Sequence, residues 1–165
     1  MLVCGEDLGM IPECVPDVMD KLRILGLEVQ RMPKAMGYVV GDPSRYPYMS
    51  VCTTSTHDMS VLRSWLEEEM PQNSIIESNV PSTENCKAIL SQHLASASML
   101  AIFPLQDWMS INEEIRHKQP SMERINVPAN SDNYWRYRMH ITIEELLSST
   151  KFNNEVIALI HLFGR

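Results

Sequence analysis

Four short apolar runs, two of them followed by helical patterns, most constrain how this chain can fold. The runs cover residues 2–4, 27–32, 48–53 and 99–104. Strands that alternate with helices favour parallel sheets, because a parallel pair needs a long crossover connection. Three of the four runs are continuously apolar, as in strands that are covered on both faces. The sequence therefore predicts an α/β fold with about four parallel strands.

Polar side chains follow three of these runs directly. Glu6 and Asp7 come after the first run, His57 and Asp58 after the third, and Asp107 after the fourth. The carboxyl ends of parallel strands carry the active site in a (β/α)8 TIM barrel. Since a complete barrel has eight strands, the pattern predicts half of such a barrel, with helices at the chain terminus.

Several other elements can be read from the pattern. A helix is expected where apolar residues recur at helical spacing between Val15 and Leu25, with Gly26 as its stop. A second helix should follow Asp58 or Ser60 as its cap, and a third should cover residues 84–96. The loop at residues 33–47 is too long for a simple connection, and residues 69–83 are polar without a period.

Composition excludes several classes of protein. The chain has 165 residues, is 44% hydrophobic and carries a net charge of −7 with scattered basic residues, so neither a nucleic-acid surface nor a membrane span is expected. The amino terminus is too short and too acidic for a signal peptide. Four cysteines without a C-x-x-C pair are expected to be buried free thiols in a cytoplasmic protein.

The two carboxylates after strands indicate a kind of chemistry. Glu6 and Asp58 each stand where a buried strand opens into a loop, the usual place of catalytic acids and bases on an α/β scaffold. A pair of this kind is typical of proton transfer and stabilisation of positive charge on a polyhydroxylated substrate.

Four motifs in order carry a resemblance to a known family. They are Cys4-Gly5-Glu6-Asp7-Leu8-Gly9, Thr54-Ser55-Thr56-His57-Asp58-Met59, Phe103-Pro104-Leu105-Gln106-Asp107-Trp108 and Arg124-Ile125-Asn126-Val127-Pro128. Together they resemble the 4-alpha-glucanotransferases of glycoside hydrolase family 77, the amylomaltases or disproportionating enzymes. Residues 134–140 are similar to the type-2, maltose-metabolising branch. The resemblance covers nearly all of the chain and weakens at residues 69–83.

The resemblance implies a role for each matching residue. Glu6 matches the general acid/base and Asp58 the stabiliser of the transition state. His57 and Asn126 match residues that bind the sugar. Asp7 and Asp107 are weaker members of the substrate-binding set and are expected to support it through hydrogen bonds.

The same resemblance implies the reaction. It is the transfer of glucosyl or maltosyl segments between α-1,4-glucans, such as maltose, maltodextrin, starch or glycogen, by a retaining double displacement that needs no organic cofactor and no metal. The family's nucleophile is an aspartate on the strand before the one that bears Glu6, and no residues of this sequence lie there. We therefore expect residues 1–165 to be a partial catalytic barrel domain that lacks its amino-terminal half and any carbohydrate-binding modules. The isolated chain should be inactive and could self-associate through its exposed half-barrel edges.

Two other functions remain open from the sequence. One is a catalytically dead or vestigial glucan-binding protein. The other is a metal-dependent barrel hydrolase with Glu6, Asp7, His57 and Asp58 as ligands, although H-x-H and H-E-x-x-H spacings are absent. Trp135 and Tyr137 are either an aromatic platform or, as the pattern favours, core residues packed with arginine salt bridges.

Overall fold

The computed structural model describes residues 1–70 and 82–165. Most of the polar stretch at residues 69–83 lies outside them. The chain divides into two compact units, of which the first comprises Met1–Thr54 and Gln92–Phe103. The second comprises Ser55–Ser91 and Pro104–Arg165.

A parallel sheet organises the first unit. Its strands are β1 (Gly26–Val29), β2 (Ser50–Thr53) and β3 (Leu100–Ala101), hydrogen-bonded in the order β1-β2-β3. Both pairs are parallel. The fold is thus a partial α/β fold, as the alternation of apolar runs and helices predicts.

The first apolar run joins the same sheet through one parallel bridge. Cys4 pairs with Leu25, where the Leu25 N–H donates to the Val3 carbonyl and the Gly5 N–H donates to the Leu25 carbonyl, each at 2.8 Å. The four segments therefore lie side by side in the order in which they occur in the chain. Each crossover returns to the neighbouring strand, as in a barrel, whereas a doubly wound sheet reverses its order at a switch point.

The helix of the first unit ends earlier than the sequence indicates. Helix α1 covers Val15–Leu22, and Arg23 closes it in the left-handed region with φ 56°. The prediction of Gly26 as the helix stop is wrong, because Gly26 already begins β1. A Cβ atom there would lie 3.1 Å from the Lys34 ammonium and 3.2 Å from an Asp7 carboxylate oxygen. Close approach by these two side chains is the physical reason for a glycine at this position.

The apolar stripe of α1 is not buried as its pattern predicts. No residue of the helix is buried, and Leu22 is 65% exposed. Leu25, three residues later and outside the helix, is only 1% exposed. Periodicity therefore identifies the helix correctly, while the buried leucine belongs to the sheet, where it pairs with Cys4.

Helices joined by irregular segments form the second unit where the structure describes it. Helix α2 (Leu62–Ser64) continues as a π-helical turn over Trp65–Glu69, α4 covers Leu105–Met109, and α5 and α6 cover Ile143–Ser148 and Thr150–Leu162. Helix α5 begins with a capping box in which Thr142 and Glu145 bond each other's backbone N–H. None of the helices in the described residues is long and apolar enough to cross a bilayer.

Helix α3 (Ser82–Leu94) confirms the helix predicted over residues 84–96, with both of its ends two residues earlier. Ile89, Leu90, His93 and Leu94 are all buried. In the first unit, the His93 ring packs edge-on against Tyr46 and Phe103, with centroids 5.9 Å apart in each pair. His93 is therefore a core residue.

The cysteines differ in burial. All four are free, with Cys52 and Cys86 buried but Cys4 and Cys14 exposed. The expectation of buried thiols is therefore wrong for Cys4, which lies on the single-bridge edge of the sheet, and for Cys14, which precedes the exposed α1.

We predict that two neighbouring leucines differ sharply in their contribution to stability. Leu25→Ala should lower the free energy of unfolding by about 2–5 kcal/mol, because it removes a fully buried side chain. Leu22→Ala should change it by less than about 0.5 kcal/mol, since that side chain faces solvent. Urea unfolding followed by circular dichroism measures both, and equal losses would contradict this account of burial.

Candidate active site

His57, Asp58 and Asn126 come together in the second unit. The Asn126 side-chain amide donates to Asp58 Oδ1 at 2.6 Å, and His57 Nε2 lies 3.3 Å from Asp58 Oδ2. The Asn126 backbone N–H also donates to the His57 carbonyl at 3.0 Å. The Asp58 side chain remains 44% exposed. Both carboxylate oxygens are thus held in place while the group stays open to a ligand that carries hydroxyl groups.

One buried carboxylate fixes both ends of the loop that carries His57 and Asp58. Asp107 accepts a 2.5 Å hydrogen bond from the Ser55 hydroxyl and a 2.7 Å bond from the Leu62 N–H. Asp107 is fully buried. It therefore supports the loop through hydrogen bonds, and its side chain is not available to a ligand in this structure.

The same contact corrects the prediction that Asp58 or Ser60 caps α2. The residue before the helix is Val61, which has no capping side chain. Because the first N–H of the helix, at Leu62, bonds Asp107, the helix needs no carboxylate from its own loop. Asp58 is thereby left for the contacts with His57 and Asn126.

A buried ion pair involves Glu123, which lies three residues before Asn126 in the chain. Arg63 Nη2 lies 3.6 Å from Glu123 Oε2, and both side chains are almost fully buried. The Arg63 guanidinium also donates to the His117 carbonyl, and the His117 N–H donates to Glu123 Oε1 at 3.4 Å. Burial raises the pKa of the Glu123 carboxyl above its ordinary value, and the Arg63 charge offsets this in part.

The residues that follow Glu123 in the chain connect this ion pair to the site. Glu123 ends the 3-10 turn Pro120–Glu123, and the next residue, Arg124, donates from Nε to the Asn126 carbonyl at 2.9 Å. The backbone of Asn126 is therefore held from both directions, by Arg124 at its carbonyl and by His57 at its N–H.

Residues 133–137 add contacts to the site that the sequence pattern did not predict. The Asn133 amide donates to Asn126 Oδ1 at 3.0 Å, and the Trp135 ring lies 4.9 Å from the His57 ring. Trp135 is 61% exposed, so the favoured prediction of core packing with arginine salt bridges is wrong for it. Arg136 instead lies over the Tyr134 ring at 4.5 Å. The alternation of aromatic residues with arginines along this segment is the signal that could have indicated two different faces.

Tyr137 has a different environment from Trp135. Its hydroxyl is buried without a hydrogen-bond partner in the described part of the chain. Burial, with a smaller contribution from the Glu123 charge, raises the pKa of Tyr137 to about 12. Tyr137 therefore packs inward, as the core interpretation predicts for that residue.

Glu6 and Asp7 belong to the first unit. Glu6 is exposed, and within residues 1–70 and 82–165 its carboxylate makes no hydrogen bond or ion pair. Asp7 accepts bonds from the Leu27 N–H at 2.8 Å and the Lys34 ammonium at 2.7 Å, and Lys34 also contacts Glu28 at 2.9 Å. Asp7 is thus tied to β1 by hydrogen bonds, whereas Glu6 is free to meet a ligand. No sequence pattern indicates the contact of Lys34 with Asp7.

Metal ligands were one alternative for the acidic residues. Among the described residues, no three His, Cys, Asp or Glu side chains converge so that they could hold a metal ion. The arrangement of side chains thus gives no geometric support to a metal-dependent hydrolase.

Comparison with known proteins points to one family. A family model described as 4-alpha-glucanotransferase matches residues 1–143. The 4-alpha-glucanotransferase DPE2 of Oryza sativa subsp. japonica is 40% identical over 175 aligned residues, which cover 100% of this chain and 18% of that relative. The 4-alpha-glucanotransferase of Chlamydia trachomatis serovar D is 32% identical over 171 aligned residues, which cover 96% of this chain and 32% of that relative.

A solved structure shares the fold. The amylomaltase from Streptococcus agalactiae in complex with acarbose matches with a TM-score of 0.75 at 20% sequence identity. The match covers 98% of this chain and 32% of that structure. The chain therefore spans no more than a third of the length of the relatives it matches.

We predict that Glu123 and Glu145 affect stability with opposite dependence on pH. The pKa of Glu123 is raised by burial, so the folded chain binds its proton more tightly than the unfolded chain does. Its contribution is then complete below the ordinary pKa of 4.5 and is lost as the pH rises through the folded pKa. Relative to the unsubstituted chain, Glu123→Gln should become more stable as the pH rises.

Glu145→Gln is the matched control. Hydrogen bonds from Thr142 lower the pKa of Glu145, so its contribution is present above pH 4.5 and is lost as the pH falls through the folded pKa. Relative to the unsubstituted chain, this variant should become less stable as the pH rises. Urea unfolding of the three proteins between pH 4 and 8 measures both trends, and trends of the same sign would contradict the dominance of burial over the Arg63 charge at Glu123.

Proposed function

The chain belongs to the 4-alpha-glucanotransferases of glycoside hydrolase family 77, and we propose that it carries the acid/base and sugar-binding part of such a transferase. The reaction is the transfer of glucosyl or maltosyl units between α-1,4-glucans, with maltose, maltodextrins or a soluble polysaccharide as substrates. The mechanism is a retaining double displacement, in which an acceptor hydroxyl attacks the covalent glycosyl-enzyme intermediate, takes the glycosyl group and releases the enzyme's carboxylate.

The observation that carries this proposal is the half-exposed Asp58, held on one oxygen by Asn126 and approached on the other by His57. A carboxylate in fixed orientation stabilises the positive charge that develops on the sugar ring in the transition state, at no cost of reorganisation. His57 and Asn126 would bind the hydroxyls of the sugar in the reacting subsite.

Glu6 is the proposed proton donor and acceptor. Its exposed carboxylate, without a partner in the described residues, is available to the glycosidic oxygen of a bound glucan. Asp7 supports it from the next position, where bonds to Leu27 and Lys34 hold the backbone beside Glu6.

We propose further that the chain is the carboxy-terminal half of a (β/α)8 barrel and forms a single partial catalytic domain. The parallel segments in chain order support this, as does the fold shared with an amylomaltase. The nucleophile belongs to the preceding strand, which these 165 residues do not include. The four free cysteines support a cytoplasmic location.

A non-catalytic glucan-binding protein is the second candidate. The residues proposed to bind sugar are present in this sequence, whereas the nucleophile is not, so binding without transfer is the behaviour proposed for the chain alone. Self-association is a related proposal, supported by the exposed apolar residues Leu2 and Val3 at one edge of the sheet and Leu100 and Ile102 at the other.

We predict that the purified 165-residue chain does not disproportionate maltotriose. Covalent catalysis requires the attacking carboxylate, and losing one member of such a constellation removes most of the rate. Release of glucose from maltotriose, compared with a Glu6→Gln control, is the measurement, and sedimentation of the same sample reports its association state. Glucose release that the control lacks would overturn the prediction.

We predict distinct effects of Glu6 and Asp58 in a complete enzyme. A suitable protein is a chimaera in which the whole 165-residue chain replaces the matching segment of the rice relative. Glu6→Ala should abolish transfer from maltodextrin but retain much of the first step with glucosyl fluoride, whose leaving group needs no protonation. Asp58→Asn should impair both donors alike, because both transition states develop charge on the ring.

Initial rates with the two donors, measured for the unsubstituted chimaera and both variants, decide the assignment. An activated donor that rescues Asp58→Asn but not Glu6→Ala would reverse the two roles. An unsubstituted chimaera that folds but transfers nothing would contradict the proposed transferase function of this segment.

A further inference from the structure

Residues 133–137 present alternate side chains to opposite sides. Asn133 and Trp135 contact the site, through the Asn126 amide and the His57 ring, and Tyr137 packs inward. Tyr134 and Arg136 contact each other instead. Alternation of this kind is the property of an extended chain, in which successive side chains point to opposite faces. One face of the segment therefore lines the site formed by His57, Asp58 and Asn126.

Trp135 is the unusual residue on that face. It is 61% exposed, whereas Trp65 is 8% exposed and Trp108 is partly buried. Exposure of a large aromatic surface is unfavourable, so an indole held open beside polar groups calls for an explanation. The ring is also fixed, because it rests against His57 at a 44° tilt and Asn133, two residues earlier, is bonded to Asn126.

A sugar ring fits the combination of groups around Trp135. A pyranose has a rim of hydroxyls and a face of C–H groups, so it needs polar partners at its edge and an apolar surface beneath it. Asp58, His57 and Asn126 supply acceptors and donors, and the Trp135 indole supplies a flat apolar surface next to them. Ligand sites combine apolar and aromatic walls with a few well-placed polar groups in this way.

We propose that Trp135 is a sugar-stacking residue, on whose exposed face one pyranose ring of an α-1,4-glucan lies while the polar groups beside it bind the hydroxyls. The inference rests on the proposed glucan function and adds a binding residue to it. Trp135 takes no part in proton transfer, so its contribution is to the affinity for the glucan. Its contact with His57 also keeps the imidazole turned toward Asp58.

Calorimetric titration of the 165-residue chain with maltotriose tests the proposal. Trp135→Ala should raise the dissociation constant about ten-fold, the range expected for loss of an aromatic stacking contact. Trp135→Leu, which keeps an apolar side chain and so protects the fold, should weaken binding to a similar degree. Tyr134→Ala is the matched control, since Tyr134 is an equally exposed neighbour that contacts Arg136, and it should leave the affinity unchanged.

Tryptophan fluorescence gives an independent readout. Acrylamide should quench Trp135 most strongly in the free chain, and maltotriose should reduce that quenching. In Trp135→Leu the remaining quenching should no longer respond to maltotriose. An unchanged affinity in both Trp135 variants, or equal weakening in Tyr134→Ala, would overturn the stacking role while leaving the glucan site in place. A folded unsubstituted chain that binds no maltotriose would instead overturn the glucan-binding site of the chain, and the stacking role with it.

Discussion

The site depends on the carboxylate of Asp107. Ser55 and Leu62, at the two ends of one loop, both donate to it, and it lies more than 40 positions further along the chain. Hydrogen bonds to a charged group contribute about 1.5–3 kcal/mol each, and a buried carboxylate without them would be strongly unfavourable. Because both ends of the loop are fixed in this way, His57 and Asp58 can remain exposed without losing their orientation.

The charged groups of the second unit differ in burial, and the buried ones have a different role from the exposed ones. Asp107, Arg63 and Glu123 are buried and bond backbone or one another, so they hold segments of chain together. Asp58 and His57 are about half exposed and can exchange water for a ligand. A buried ion pair is poor evidence for stability by itself, since desolvation offsets much of its attraction. The ion pair of Arg63 and Glu123 instead positions the segment that follows Glu123, in which the Asn126 side chain donates a hydrogen bond to Asp58.

The sequence predicted those features that follow from local pattern. Alternating apolar runs gave the parallel segments, and periodicity gave α3 with its buried stripe. It could not predict which acceptor satisfies the first N–H of α2, because that acceptor is the carboxylate of Asp107, far along the chain. Contacts between residues far apart in the chain also explain two wrong predictions. At Gly26, the nearby Asp7 and Lys34 side chains leave little room for a Cβ atom. At Trp135, the exposed ring is held by a contact with His57.

Binding and chemistry are separable in a chain with these residues. In the proposed mechanism an oriented Asp58 stabilises charge and a free Glu6 transfers a proton, but neither forms the covalent bond to the sugar. That bond requires a second carboxylate within about 5–5.5 Å of the acid/base in a retaining enzyme. The proposed glucan site of Asp58, Asn126 and Trp135 therefore does not depend on the nucleophile. Under the same proposal, transfer requires in addition the aspartate that the family carries on the preceding strand.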